Sequence, residues 1–267
     1  MTNRDFLKAI LARKRREIER RRNHYKKLSS SVSRSDFAQA KYQSLYSALS
    51  RENRNRPKVI AEIKLKSPSA GIIRECSAGA VSEIARAYEA AGAAAVSVLC
   101  DRLGFGGSLL DVRRAASAVT IPILFKEFVL DEIQVCLAGV AQAQMVLLMV
   151  CALSASELKR LVIATHHQGL VPLIEVAKKN ELEIALDTET AIIGVNARDL
   201  RTFRVDARAA TKLIDCIPKE RVAIYMSGVG SKEELKRIAD TRADAVLIGE
   251  ALMKAPSPGD KLREILG

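Results

Sequence analysis

A chain of 267 residues with 48% hydrophobic side chains is long enough to bury one sizeable core and too apolar to stay disordered. Its apolar runs fall short of the roughly 18 residues that a bilayer-spanning helix needs, so no membrane partner is expected. The formal net charge is +12, but residues 13–27 alone hold nine Lys or Arg against two Glu. That local excess brings nucleic acid or an anionic surface into view. The plainer reading is a helix with a solvated basic face. The five Cys are scattered and form no CxxC, which points to a reduced, cytoplasmic protein. His24, His166 and His167 offer no HExxH, and no metal or other cofactor is expected. The start, MTNRDFLKAILARKRR, lacks a cleavage site and does not read as a signal peptide.

In chain order, helices are expected over 3–27 and 34–50, joined by LSSSVSRS. Leu7, Leu11, Ile18 and Tyr25 lie near one stripe of the first, which lets it dock and leave its charges in water. Residues 1–57 are read as a helical extension that caps the following unit or lies over its mouth. From 58 to 267 the pattern changes. Apolar runs at 58–63, 94–99, 121–125, 145–150, 170–175, 191–195, 222–226 and 245–249 alternate with amphipathic stretches such as SEIARAYEAAG and SKEELKRIADTRA. Strand–helix alternation implies parallel strands. Eight units of about 25 residues predict an α/β fold, a (β/α)8 barrel, over 58–267. An open doubly wound sheet is the alternative, but no GxGxxG follows the first strand.

Barrel sites form at the carboxyl ends of the strands. In the first, Ile60, Glu62 and Lys64 share a face by period-two alternation, so two opposite charges point into the mouth. Such a pair could serve the fold alone, but buried pairs are weak sources of stability, which favours function. Lys126 ends the third strand, Glu175 tips the fifth, and Asn196 and Arg198 follow the sixth. Ser227-Gly228 after strand seven and Gly249-Glu250 after strand eight fit a phosphate site, although turn chemistry also calls for glycine. The residues therefore suggest a phosphorylated substrate and Lys/Glu acid–base chemistry.

Several segments resemble indole-3-glycerol phosphate synthase: VIAEIKLKSPSAG (59–71), FGGSLLDVRRA (105–115), PILFKEFVLDEIQV (122–135), IEV (174–176), IGVNARDLRTFRVD (193–206), SGV (227–229) and DAVLIGEALMKAPSPG (244–259). The resemblance spans nearly the whole chain. It implies ring closure, decarboxylation and dehydration of 1-(2-carboxyphenylamino)-1-deoxyribulose 5-phosphate in tryptophan biosynthesis. It casts Lys126 as the acid that activates the carbonyl, Glu175 and Lys64 as the dehydration pair, and Glu62 as their orienting group. It places Asn196 and Arg198 on the ring and its carboxylate. Ser67, Pro68, Phe105, Phe128, Leu147 and Leu200 would line the pocket. Phosphate would meet Ser227, Gly228, Gly249 and the Glu250 backbone, assisted by Lys66 or Lys64. Four departures stand out. Met226 replaces the family's usual Glu, Ala197 stands where Asn or Ser is common, Glu127 where Asp is common, and Glu250 beside phosphate must offer only its N–H. No fused isomerase domain is expected, and a monomer or weak homo-oligomer is.

Two other readings compete. An Amadori-sugar isomerase would share the barrel and phosphate site but rely on Asp, or Cys with Asp, at the strand ends. A non-catalytic barrel that binds nucleic acid through residues 13–27 would lose affinity steeply with salt.

Overall fold

The computed structural model describes residues 3–30, 39–51, 56–68, 70–77, 79–199 and 204–267. Eight parallel strands close into a barrel. They are β1 (Lys58–Ile63), β2 (Ala95–Leu99), β3 (Ile123–Lys126), β4 (Met145–Met149), β5 (Val171–Val176), β6 (Ile192–Asn196), β7 (Val222–Met226) and β8 (Ala245–Ile248). Closure is made by β1, which pairs Lys58 with Ala245 of β8 on one side and Ile60 with Ala95 of β2 on the other. The expected strands agree within two residues at each end. The largest shift is in β3, which starts at Ile123 and runs through Lys126.

The helices in chain order are α1 (Asn3–Ser29), α2 (Gln39–Leu49), α3 (Ala80–Ala90), α4 (Arg102–Phe105), α5 (Leu109–Ala116) and α6 (Glu132–Val140). They continue as α7 (Ala155–His167), α8 (Lys179–Leu186), α9 (Ala207–Asp215), α10 (Lys232–Ala239), α11 (Glu250–Lys254) and α12 (Pro258–Leu266). Several starts are set by local chemistry. Asp131, Ser154 and Ser231 each form a capping box with the residue three positions on, which satisfies N–H groups that a helix start leaves open.

Strand alternation divides the core in two. Ala61, Ile63, Val96, Val98, Phe125 and Ile174 face outward onto the helices. Ile60, Leu124, Leu147, Leu173, Ile224 and Leu247 fill the barrel. Leu7, Ile10, Leu11 and Ile18 of α1, and Leu45 and Leu49 of α2, join the inner cluster. The two helices do so from opposite ends. α1 lies beside α6 and reaches the carboxyl ends of β2 and β3. α2 lies at the amino ends, where Tyr46 Oη donates to the Glu220 carbonyl and Arg51 donates to the carbonyls of Ala239 and Thr241. The extension therefore covers both the mouth and the floor, where the sequence left one or the other. The first residues of the expected 34–50 helix lie outside the described residues.

The expectation that α1 leaves its charges in water needs one correction. Most of its basic side chains are exposed, but Lys14 is 2% exposed and Arg13 is only partly exposed. The cause is a group of carboxylates at the strand ends, which repays the cost of burying the ammonium.

Candidate active site

Alternation along β1 turns Glu62 inward, and the chain beyond Ile63 keeps Lys64 on the same side, with Nζ 3.1 Å from Glu62 Oε1. Glu62 is buried and Lys64 is only slightly exposed. Across the mouth, Lys126 Nζ at the end of β3 lies 3.3 Å from Glu175 Oε2 at the end of β5. The other Glu175 oxygen accepts a 2.9 Å bond from Asn196 Nδ2 of β6. Asn196 Oδ1 accepts from Ser227 Oγ at 2.8 Å and from the Arg198 backbone N–H at 3.0 Å. A relay of hydrogen bonds thus runs from β3 through β5 and β6 to the loop after β7. It places an ammonium and a carboxylate in contact, which is the arrangement proton transfer requires.

These groups line a cavity of about 440 Å³ at the barrel mouth. Of the residues expected at the site, the cavity gathers Glu62, Lys64, Lys126, Glu175, Asn196, Ser67, Pro68, Phe105, Phe128, Leu147, Arg198, Ser227, Gly228, Gly249 and Glu250. Phe105 and Phe128 form one wall, with ring centroids 6.1 Å apart and planes tilted by 41°. Lys66 is not among the lining residues. It sits on the two-residue strand Lys66–Ser67 of a small hairpin with Gly71–Ile72, and its Nζ donates to the Leu103 carbonyl at 3.3 Å. Leu200 lies outside the described residues. Sequence reading passed over Leu99, Asp101, Met149 and Leu247, which also line the cavity. Inward alternation along β2, β4 and β8 was the available signal for three of them; Asp101 had none.

The rim of β7 and β8 departs from simple turn chemistry. Ser227 and Gly228 both adopt positive φ, at 72° and 77°. A non-glycine residue there is strained, and the Ser227 hydroxyl is anchored on Asn196. Gly249 has ordinary φ, so turn geometry does not explain it. A side chain there would meet Glu62: an added Cβ would lie 2.6 Å from Glu62 Oε1. Glycine at 249 makes room for the carboxylate of β1. Glu250, expected to repel phosphate, has its carboxylate tied to Lys254 Nζ at 2.7 Å. That hydrogen bond, with charge from Lys254, Lys64 and Arg198, holds it below the usual carboxylate range. Met226 lines the cavity too, and its sulfur fills the space that a side chain at Gly194 would need.

Beside the aromatic wall lies a second group of charges. Lys14 Nζ is 2.8 Å from Asp101 Oδ1, 3.0 Å from Glu127 Oε2 and 3.0 Å from Glu17 Oε2. Burial pushes the Glu127 carboxyl up to about 7, against the pull of Lys14. Burial also works to raise Asp101, but the Lys14 ammonium, the Gly104 N–H and Arg13 outweigh it and hold Asp101 low.

An eight-stranded parallel barrel with Lys and Glu converging at its carboxyl mouth defines a (β/α)8-barrel enzyme. The model of one family, indole-3-glycerol phosphate synthase, matches residues 7–265. The chain belongs to the indole-3-glycerol phosphate synthase family. Among its relatives, the indole-3-glycerol phosphate synthase of Dechloromonas aromatica is 37% identical over 98% of both chains. That of Aquifex aeolicus is 42% identical over 79% of this chain and 81% of its own length. Solved structures share the fold at low identity. A mutant tryptophan synthase alpha-subunit of Pyrococcus furiosus aligns with a TM-score of 0.61 at 13% identity, over 79% of this chain and 98% of its own. An N-acetylmannosamine-6-phosphate 2-epimerase of Clostridium perfringens aligns at 0.60 and 15%, over 78% and 90%.

Proposed function

We propose that the mouth of this barrel carries out the reaction of its family, the conversion of 1-(2-carboxyphenylamino)-1-deoxyribulose 5-phosphate to indole-3-glycerol phosphate. The chain is a decarboxylating lyase of tryptophan biosynthesis. The observation that carries the assignment of roles is the contact of Lys126 with Glu175, buttressed by Asn196 and faced by the Glu62–Lys64 pair.

The chemistry follows from these groups. The sugar carbonyl is protonated by the Lys126 ammonium as the aromatic carbon attacks it, which forms the new ring bond. The ring carboxylate then departs as carbon dioxide, and its bonding electrons restore aromaticity. Dehydration removes a proton and a hydroxyl, served by Glu175 and Lys64 between them. Glu62, in contact with Lys64, fixes where that ammonium sits. Asn196 keeps the Glu175 carboxylate aimed at the cavity. Phe105 and Phe128, with Leu147 and Pro68, cradle the aromatic ring. Arg198 takes the ring carboxylate, and phosphate sits on the Ser227–Gly228 and Gly249–Glu250 backbone.

We read residues 1–57 as an extension of the barrel domain, because the described parts of α1 and α2 share the barrel's inner core. We further read the chain as cytoplasmic and as a monomer or weak homo-oligomer. Among the described residues, no helix is long and apolar enough to cross a membrane.

The direct test is fluorimetric. The chain contains no Trp, so the indole fluorescence of the indole-3-glycerol phosphate formed from the carboxyphenylamino sugar phosphate is read without tryptophan emission from the protein. Steady growth of indole emission is expected. A folded protein that leaves the substrate unchanged would overturn the reading.

A further inference from the structure

Lys14 stands apart from the rest of the basic run in α1. Its ammonium has three N–H donors and meets three carboxylates, those of Glu17, Asp101 and Glu127, at 2.8 to 3.0 Å. It is 2% exposed. Arg13 Nη2 backs it by holding the Asp101 carboxylate at 2.9 Å. An apolar side chain would dock α1 at lower desolvation cost, so stability alone explains this arrangement poorly.

Each of the two distant carboxylates holds a piece of the cavity. Asp101 follows β2 and caps α4 by accepting the Gly104 N–H at 2.7 Å; α4 ends in Phe105. Glu127 follows Lys126 directly, and its second oxygen accepts the Phe128 N–H at 2.7 Å. One ammonium therefore fastens the ends of β2 and β3, the two segments that carry Phe105, Lys126 and Phe128.

We propose that Lys14 is a positioning residue for the reaction: its clasp on Asp101 and Glu127 sets Lys126 and the Phe105–Phe128 wall from the N-terminal helix. This rests on the function proposed above. On the far side of the clasp lies a second cavity of about 370 Å³, lined by Lys14, Glu17, Glu127, Arg21 and Arg113. Through it a small amine can reach the place that a shortened Lys14 vacates.

The test measures kcat and KM for the parent and Lys14→Ala by indole fluorescence, with thermal midpoints to show that both are folded. Misplacing an acid by a fraction of an ångström to one ångström costs about 10- to 100-fold in rate. A kcat loss of that size is expected, larger than any change in KM. Propylammonium chloride should restore much of it, and sodium chloride at equal ionic strength should not. A kcat within about twofold of the parent, an effect confined to KM, or a kcat loss that propylammonium does not relieve overturns the role. If Lys14→Ala does not fold, Lys14→Met/Glu127→Gln, which leaves no unpaired carboxylate at 127, replaces it. A depressed kcat in that pair supports the clasp, and a parent-like kcat overturns it. The two readings fail differently. A parent that makes no indole product strikes at the function, whereas an active parent with an equally active Lys14→Ala strikes only at the clasp.

Discussion

Glu175 is held from two sides, by Lys126 at 3.3 Å and by Asn196 at 2.9 Å. A carboxylate fixed this way has little freedom to reorient, which suits a group that must meet one proton in one geometry. Its removal should therefore act on turnover. Glu175→Gln keeps shape and hydrogen-bonding capacity but not basicity, and kcat is expected to fall by about 100-fold or more. A change seen only in KM would assign Glu175 to binding. Lys126→Met removes the ammonium that lies against it, and a drop in kcat of about 100-fold or more is expected there too. Near-normal turnover in Lys126→Met would move the acid elsewhere, with Lys64 the next candidate on the same cavity.

At the scale of elements, the loop after β7 is shaped by the helix that follows. Ser231 Oγ accepts the Glu234 N–H at 3.2 Å, while Glu234 Oε2 accepts the N–H groups of Gly230 and Ser231 at 2.7 and 3.1 Å. This capping box starts α10 and also ties down Gly230, which lines the cavity. Ser231→Ala is expected to cost about 1 kcal/mol, read as a lower urea midpoint with unchanged slope. An unchanged midpoint would mean that Glu234 alone holds the helix start. The boundaries of such elements were legible because Ser, three residues before Glu, announces them locally. The Met226 departure was legible as a letter, but its consequence was not. Only pairing of β7 with β6, Gly194 against Ile224, brings Met226 to its place over Gly194.

At the scale of the molecule, α1 joins the barrel through buried charge as well as apolar contact. The Glu127 carboxyl titrates at about 7, raised by burial from the ordinary 4.5 of an exposed glutamate. The folded chain therefore holds this proton more tightly than the unfolded chain does. The resulting stability is complete below about pH 4.5 and is lost as pH rises through 7. The full span corresponds to a loss on the order of 3 kcal/mol. Urea midpoints taken between pH 5 and 8 should fall for the parent and stay flatter for Glu127→Gln. Equal slopes in the two proteins would remove Glu127 as the cause.

The barrel and most of its site could be read from sequence because both rest on short-range repetition. Period-two alternation decides which side chains of Ile60-Ala61-Glu62 enter the barrel, and eight strand–helix units decide that strands are parallel and their carboxyl ends coincide. Given that, Glu62, Lys64, Lys126 and Glu175 had to converge. The direction of Lys66 was not legible, because a short hairpin, not the strand, sets it, and its Nζ turns to the Leu103 carbonyl. Lys14 looked like one more solvated charge among nine because its partner Glu127 lies 113 residues away. Hydrophobic spacing tells which face of α1 docks, but not what waits beneath it. Tertiary structure alone decided that two carboxylates at adjacent strand ends lie under that face. Ion pairing is set by distances of 3 to 4 Å in space and leaves no period along the chain.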